Sequence, residues 1–346
     1  MNPFNRRKFM QSAAILAAAS QVKLAKASTF NSNQPIIIDL NLRGGMDGLT
    51  VLPPMTGVNR QVYETVRPNL AVPLTGNKAV LDIGDFFGFH FNAPELRDMY
   101  TSGDMAIING VGVPDNFVIR SHFDAIKYQE LGTLDTLSTP DGWLTRHLET
   151  SPIINGQESI PAVVTGSTKP DTLKNYIDVL TIYKPKYFHP NFGRQGNAHL
   201  ESMEDMYAGT NGEFEMAAAS SVEYVNLLKD LDLENYEPDG GANYPEGGFG
   251  TQLKLIAQLL KGNHGIHVAS TDFGGWDTHE NSGDNGSGYY YDRLGQVSEA
   301  IGAFFQDLNS AGKKDNVVLA TQTDFGRRVS ENGNKGTDHG SAQAMM

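Results

Sequence analysis

Asp272, Asp277 and His279 lie within eight residues of one another in TDFGGWDTH. Carboxylate and imidazole donors this close together suit a divalent cation. Gly274 and Gly275 between them let the backbone fold so that the donors can converge. Just upstream, Ile266, Val268 and Ala269 form a short apolar run, the pattern of a buried strand that ends in a loop. A similar unit follows: Val317 to Thr321 (VVLAT) reads as another strand, with Asp324 behind it and then Asp338 and His339 in GTDHG. Two strands that each lead into Asp and His donors predict one shared site at the carboxyl ends of the strands of an open α/β sheet. Taken singly, each residue has a plainer use, Asp277-Thr278 as a turn or cap and Asp324 as a helix N-cap. Their clustering in loops after strands favours ligation.

Two other stretches carry chemistry-bearing side chains. Pro35 to Leu42 (PIIIDLNL) reads as a first strand running into RGGMDGL. That turn lacks the Gly-Lys-Ser/Thr ending of a P-loop and the spacing of a dinucleotide fingerprint, so it is weak as a nucleotide motif. It does place Asp47 at a strand end, while Asp39 inside the strand reads as a structural or supporting carboxylate. Further on, Arg120-Ser121-His122 precedes a helix predicted over Phe123 to Leu131. Ser121 is then an N-cap, a common use of serine. It is alternatively a nucleophile whose alkoxide a metal and the positive helix end would stabilise. The local sequence favours the cap. Phe86, Phe87, Phe89 and Phe91 read as core or pocket wall, with His90 among them as a packing histidine.

The elements that must position these residues alternate. Met105 to Val111 reads as the second strand of the sheet, Gln252 to Leu260 as an amphipathic helix, and Arg293 to Leu308 as a helix with one apolar face. Such alternation predicts an α/β fold with a mostly parallel sheet sandwiched by helices. Residues 132–248 read as an inserted helical and loop cap, with a strand near Ile160 to Val164, helices at Glu201 to Tyr207 and Glu213 to Leu231, His189 and His199 around a Gly/Asn loop, and a solvated acidic connector from Asp230. The main domain is expected over 28–346.

Composition narrows the function. The first 27 residues form a twin-arginine signal peptide, with Arg6-Arg7, an apolar run from Ser12 to Ser20 and an Ala25-Lys26-Ala27 cleavage site. That run falls well short of the ~20 residues a membrane span needs, so export by the twin-arginine translocase to the periplasm or beyond is expected. The leader carries five basic residues and no acid, so its removal takes the formal charge from −13 to −18. A chain this acidic repels nucleic acid and anionic membranes. The absence of cysteine excludes disulfides, thiolate metal sites and a cysteine nucleophile. Carboxylate, imidazole and hydroxyl donors remain, and these suit zinc, manganese, magnesium or calcium.

The ordered run RGGMDGL, RSHFDA, GGWDTHEN and TDFGRRVSENGNKGTDHG behind that leader resembles the exported bacterial family catalogued as domain of unknown function 1501. The resemblance extends from the leader to the last residue. The family in turn is similar to the alkaline phosphatase and sulfatase superfamily, whose α/β sheet holds one or two metals at its strand ends. The resemblance implies that Asp47 is a first metal carboxylate and Ser121 the nucleophile. It also implies ligation by Asp272 with Asp277 or His279, by Asp324 and by His339. Phe325 stands where the related enzymes have a second histidine, which leaves one metal position weakened, lost, or completed by Asp338 or His122. Relatives run on past residue 346, which implies terminal strands beyond it.

On this mapping a metal, zinc first, activates the Ser121 hydroxyl toward phosphorus or sulfur. Arg43 or Arg120 forks onto the non-reacting oxygens. Ser121 is not followed by the Pro and Arg that a formylglycine sulfatase requires, which puts phosphate esters ahead of sulfate esters. The expectation is an exported metal-dependent hydrolase of small-molecule or glycan-linked esters, favoured by Ser121 beside His122. The competing expectation, favoured by Phe325, is a non-catalytic envelope protein that keeps the fold to bind metal, glycan or a partner protein.

Overall fold

The computed structural model describes residues 35–346 apart from 113–118, 134–136, 152–159, 185–195, 208–211, 229–230, 232, 234 and 285–286. The expected leader, residues 1–27, and His189 lie outside these residues, as does the side chain of His199.

Ile36–Asn41 (β1) has the IIIDLN pattern of a strand covered on both sides. Ile36, Ile38 and Leu40 enter one hydrophobic core, while Ile37 packs against a second. Five strands make a parallel sheet in the order β4-β3-β5-β1-β6, with β3 at Ala162–Thr165, β4 at Val179–Thr181, β5 at Val268–Asp272 and β6 at Val317–Gln322. Ile37 is opposite Val268 on one side and Val318 on the other. Parallel strands need helical crossovers, and these cover the faces.

In chain order the helices are α1 (Gly57–Val66), α2 (Pro94–Ser102), α3 (His122–Leu131), α4 (Trp143–Thr150), α5 (Gly196–Tyr207), α6 (Glu213–Leu228), α7 (Gly248–Lys261) and α8 (Tyr289–Ser310). The larger core sets Leu253, Ile256 and Leu260 of α7, with Leu294, Val297 and Phe304 of α8, in one cluster with β1. The smaller core joins Leu144 and Leu148 of α4 to Ala162, Val164 and Val268. The expected α/β sheet with helices on both faces is therefore present.

Three expectations differ from the structure. The Met105 to Val111 run yields only Ile108–Val111 (β2), which pairs antiparallel with Gln343–Met345 (β9) outside the main sheet. Its side chains are largely exposed and Gly110 breaks the register, so it lacks the two-sided burial of a parallel strand. The stretch 132–248, read as an insertion, contributes β3 and β4 to the main sheet itself. The connector after Asp230 is pinned rather than wholly solvated. Fully buried Asp307 on α8 accepts hydrogen bonds from the Tyr236 and Tyr244 hydroxyls, the Asp239 N–H and Lys261 Nζ.

On the face of β1 that carries Ile37 lie Asp39 and Asn41, opposite Ser270 and Asp272 of β5. Asp39 is buried and accepts from Gln322 Nε2 and Asn41 Nδ2. Burial pushes its carboxyl up to about 7; the Gln322 hydrogen bond opposes this, and the charges of Asp272 and Glu130 add to it. Between its ordinary value of 3.8 and about 7 the folded chain thus holds a proton that the unfolded chain has released, so this residue makes stability fall as pH rises through that window. Asp39→Asn is expected to flatten that slope: measured by denaturant unfolding, the variant gains on the parent from about pH 4 to 7 and keeps a constant lead above it. Parallel curves for the two proteins would show that Asp39 is ionised in the fold.

Candidate functional site

Three loops meet at the carboxyl end of the sheet: Arg43 to Asp47 after β1, Phe273 to His279 after β5, and the segment after β6. That last segment becomes a hairpin of Arg327–Glu331 (β7) and Thr337–His339 (β8), paired antiparallel with Arg327 opposite His339. The loop after β5 is anchored by Trp276, which is fully buried and donates from Nε1 to the Phe273 carbonyl at 2.8 Å. Gly44 has φ +121°, and a Cβ there would lie 2.5 Å from the Asp277 nitrogen, so only glycine lets the first loop approach the second this closely.

Arg327 knits the three loops together. Its side chain is fully buried. It donates to the carbonyls of Gly45 (2.7 Å), Gly44, Trp276 (3.3 Å) and Thr337 (2.8 Å), and to Asp277 Oδ1 at 2.6 Å. Burial would push the Asp277 carboxyl up, but the hydrogen bond and charge of Arg327 outweigh it and hold the group below its ordinary value.

Around Asp277 the imidazoles gather. His122, Asp277 and His339 place one potential ligand atom each within 4.8 Å of the others. His122 Nε2 lies 3.1 Å from His339 Nε2 and 3.4 Å from Asp277 Oδ2, while His339 Nε2 lies 3.3 Å from Asp277 Oδ1. His279 adjoins the set, its Nε2 being 2.8 Å from His339 Nε2 and 3.0 Å from Asp277 Oδ1.

The outer partners of each ring decide which nitrogen faces inward. His339 Nδ1 is 2.8 Å from the Arg120 carbonyl, which only accepts, so Nδ1 carries the proton. His122 Nδ1 is 2.5 Å from Asp324 Oδ2, a carboxylate that also takes the Gly44 N–H. His279 Nδ1 faces Asp338 Oδ1 at 3.3 Å, and Asn332 Nδ2 donates both to that oxygen and to the His279 carbonyl. In the neutral rings Nε2 is then a bare lone pair on all three histidines. Facing lone pairs at 2.8 to 3.1 Å repel unless an electrophile sits between them. Donors about 2.0–2.1 Å from a tetrahedral zinc lie about 3.3–3.4 Å apart, close to the separations found. Two imidazoles and a carboxylate leave a further position open, as catalytic zinc sites do, and a carboxylate or carbonyl behind each imidazole is the usual second layer of a metal centre.

The other expected residues lie differently. Asp47 caps the helical turn Gly48–Val51, and its oxygens accept from Arg67, at 2.5 and 3.1 Å, and from Thr50. Arg67 is fully buried and also donates to the carbonyls of Arg328 and Val329, so Asp47 serves to hold β7. The Asp272 carboxylate is committed to Arg43 Nε at 2.8 Å, and Arg43 reaches Glu130 at 2.6 Å with its other arm. Neither Asp47 nor Asp272 joins the histidine cluster, and the Arg43 fork is already filled by protein carboxylates. Asp324 meets the cluster from behind His122, and Asp338 from behind His279. Arg120 contributes its carbonyl, with its residue exposed to solvent. Ser121 is the N-cap of α3, its Oγ accepting from the Asp124 N–H at a long 3.4 Å, and it makes no hydrogen bond to the cluster. Sequence reading missed Arg67, Arg327 and Asn332. The one signal for Arg327 is its place on the inward side of a strand directly after the TDFG loop.

Fold and site together define an α/β protein with a candidate metal-donor set of His122, Asp277 and His339 at the carboxyl end of a parallel sheet. The chain belongs to the family described as protein of unknown function (DUF1501), whose profile matches residues 105–346, well over half of its length. No curated protein and no solved structure matches it.

Removing a partner behind a ligating histidine typically lowers metal affinity by roughly 10- to 100-fold. Asp324→Ala is expected to weaken zinc binding by about that factor in a chelator competition assay. Asp272→Asn, which alters a carboxylate already paired with Arg43, should leave the affinity unchanged. The reverse order of effects would move the site to Asp272.

Proposed function

We propose that this protein is a metal-dependent hydrolase of phosphate esters, with sulfate esters as the second choice, exported through its twin-arginine leader. The reading rests on one observation: the Nε2 atoms of His122 and His339, each fixed by a proton-accepting partner behind it, face each other and the Asp277 carboxylate. The donor set of two or three imidazoles and a carboxylate, without thiolate, fits zinc best among the metals considered, ahead of manganese, magnesium and calcium. Such an ion supplies Lewis acidity that polarises a phosphoryl oxygen and favours an alkoxide nearby. A kinship with the alkaline phosphatase and sulfatase superfamily is part of this proposal, and the parallel sheet with donors beyond its carboxyl ends supports it.

The protein's own groups have separable tasks in this reading. Asp324 and the Arg120 carbonyl hold His122 and His339 in register. Arg327 keeps Asp277 charged and fixed. Ser121, one residue before His122 and at the positive end of α3, supplies the nucleophilic hydroxyl; its only capping contact is long, so the hydroxyl remains available. Asp277, His279 and Asp338 are each about 45% exposed at the side chain, against 20–24% for His122 and His339, so substrate approaches over the Asp277, His279 and Asp338 side. Among the described residues no helix is long and apolar enough to cross a membrane.

A second reading, a non-catalytic metal- or ligand-binding envelope protein, is favoured by the capping role of Ser121 and by the engagement of Arg43 with Glu130 and Asp272. Metal analysis combined with a panel of phosphomonoesters, phosphodiesters and sulfate esters separates the two. The hydrolase reading expects bound zinc, turnover of a phosphate ester, and loss of turnover by orders of magnitude in Ser121→Ala with zinc content intact. Full activity in that variant would reduce Ser121 to a cap, and a zinc-bound protein inert toward every ester would support the envelope reading.

A further inference from the structure

We infer that the cavity between α7 and the segment leaving β4 is a second ligand site, one that takes an anionic group carried on an apolar body. The inference does not depend on the metal-centre reading above.

The cavity measures about 440 Å³, within the roughly 300–1,000 Å³ typical of small-molecule sites. One wall is Ile182 to Lys184, where the chain leaves β4, and the other is α7 from Gly248 to Gln258. Because α7 leads down to the start of β5, its first turns stand at the carboxyl end of the sheet, where open α/β sheets bind ligands. β4 is an edge strand, and no described lining residue comes from the three loops that meet at the histidine cluster. The cavity is therefore a separate place on the same end of the sheet.

Its lining has two characters. Ile182, Leu233 and Leu255 are buried members of the larger core and offer hydrocarbon. Lys184 and Lys254 bring positive charge, the Nζ of Lys184 lying 4.8 Å from the Tyr183 ring centroid and that of Lys254 5.7 Å from the Tyr236 ring centroid. Such contacts hold an ammonium group without cancelling its charge. No Asp or Glu lines the cavity among the described residues, on a chain with 40 acidic and 27 basic residues. Lys261 makes the contrast plain: two turns further along α7 and 4.6 Å from the same Tyr236 ring, it is paired with Asp239 and Asp307. Lys254 has no ion pair among the described residues. Gln252 accepts from Thr271 with its Oε1 at 3.3 Å, so the group it has left to offer a ligand is the Nε2 donor. Lysines are point charges rather than forks, so carboxylate and phosphate headgroups satisfy them alike. An apolar floor beside two ammonium groups is complementary to an amphipathic anion, whose body is buried and whose head meets the lysines.

Isothermal titration calorimetry of the full chain tests this with four probes: octanoate, octyl phosphate, 1-octanol and acetate. One site per chain is expected for octanoate or octyl phosphate, the tighter of the two identifying the headgroup. Octanol, which lacks the charge, and acetate, which lacks the body, should each bind about tenfold more weakly or worse. Lys184→Glu with Lys254→Glu, folded by circular dichroism, should weaken the anion by about tenfold or more. Lys314→Glu, which alters a lysine paired with Asp104 outside this cavity, should leave the affinity unchanged. Absence of binding by both anions would overturn the inference. So would octanol binding as tightly as octanoate, or an unchanged affinity in the double variant.

Discussion

The structure turns on how a buried guanidinium satisfies loop carbonyls that no sheet partner can reach. Beyond the ends of β1 and β5 the backbone leaves the ladder, and its oxygens still need donors. Arg327 supplies them to Gly44, Gly45, Trp276 and Thr337, which belong to three separate segments. A guanidinium stays protonated at any pH a protein meets, so burying it demands a counter-charge. Asp277 supplies that charge: its Oδ1 takes the guanidinium and also lies 3.0 and 3.3 Å from the Nε2 atoms of His279 and His339, while its Oδ2 faces His122 Nε2 at 3.4 Å. The same carboxylate thus balances the scaffold and serves the site, which places the candidate centre where it is. Arg67 does similar work a layer away, joining Asp47 to the carbonyls of β7.

On that scaffold each histidine is set by a partner from a different part of the chain. His122 begins α3, which Gln129 ties to the carbonyls of Thr323 and Asp324, so the helix is fastened to the loop after β6. The Asp324 carboxylate then fixes the ring. His339 closes the β7–β8 hairpin and is turned by the backbone just before α3. His279 is more exposed and is held through Asp338 at 3.3 Å, with Asn332 bonded to the same carboxylate oxygen. The inner pair, His122 and His339, is thus the more buried, and His279 the more exposed, of the three imidazoles.

Much of the sheet was legible from hydrophobic runs. PIIIDLNL, the run before TDFGGWDTH, and VVLAT all became strands of the main sheet, because apolar runs bounded by glycine and polar turns are what a two-sided parallel strand requires. The strand at 179–181 was hidden by its short length and its neighbouring aromatics, and β2 was over-read because MAIINGV has the right composition and the wrong burial. At the site, Asp277, His279, Asp338 and His339 were identifiable by type and by their place after strands. Asp47 and Asp272 carry the same signals, yet their fate was decided by arginines far off in the chain. Which carboxylate meets a cation and which meets a guanidinium depends on tertiary pairing. No local spacing encodes it, and the two arginines that decide it look in the sequence like ordinary surface charges.

X-ray absorption at the zinc edge of the metal-loaded protein tests the central claim most directly, since it reports on the atoms around the ion without needing a substrate. The account predicts a shell of nitrogen and oxygen at about 2.0–2.1 Å, with the multiple-scattering pattern of at least two imidazoles that diminishes when His122 and His339 are replaced together. A shell of oxygens alone, or an imidazole pattern unchanged by that double replacement, would contradict it.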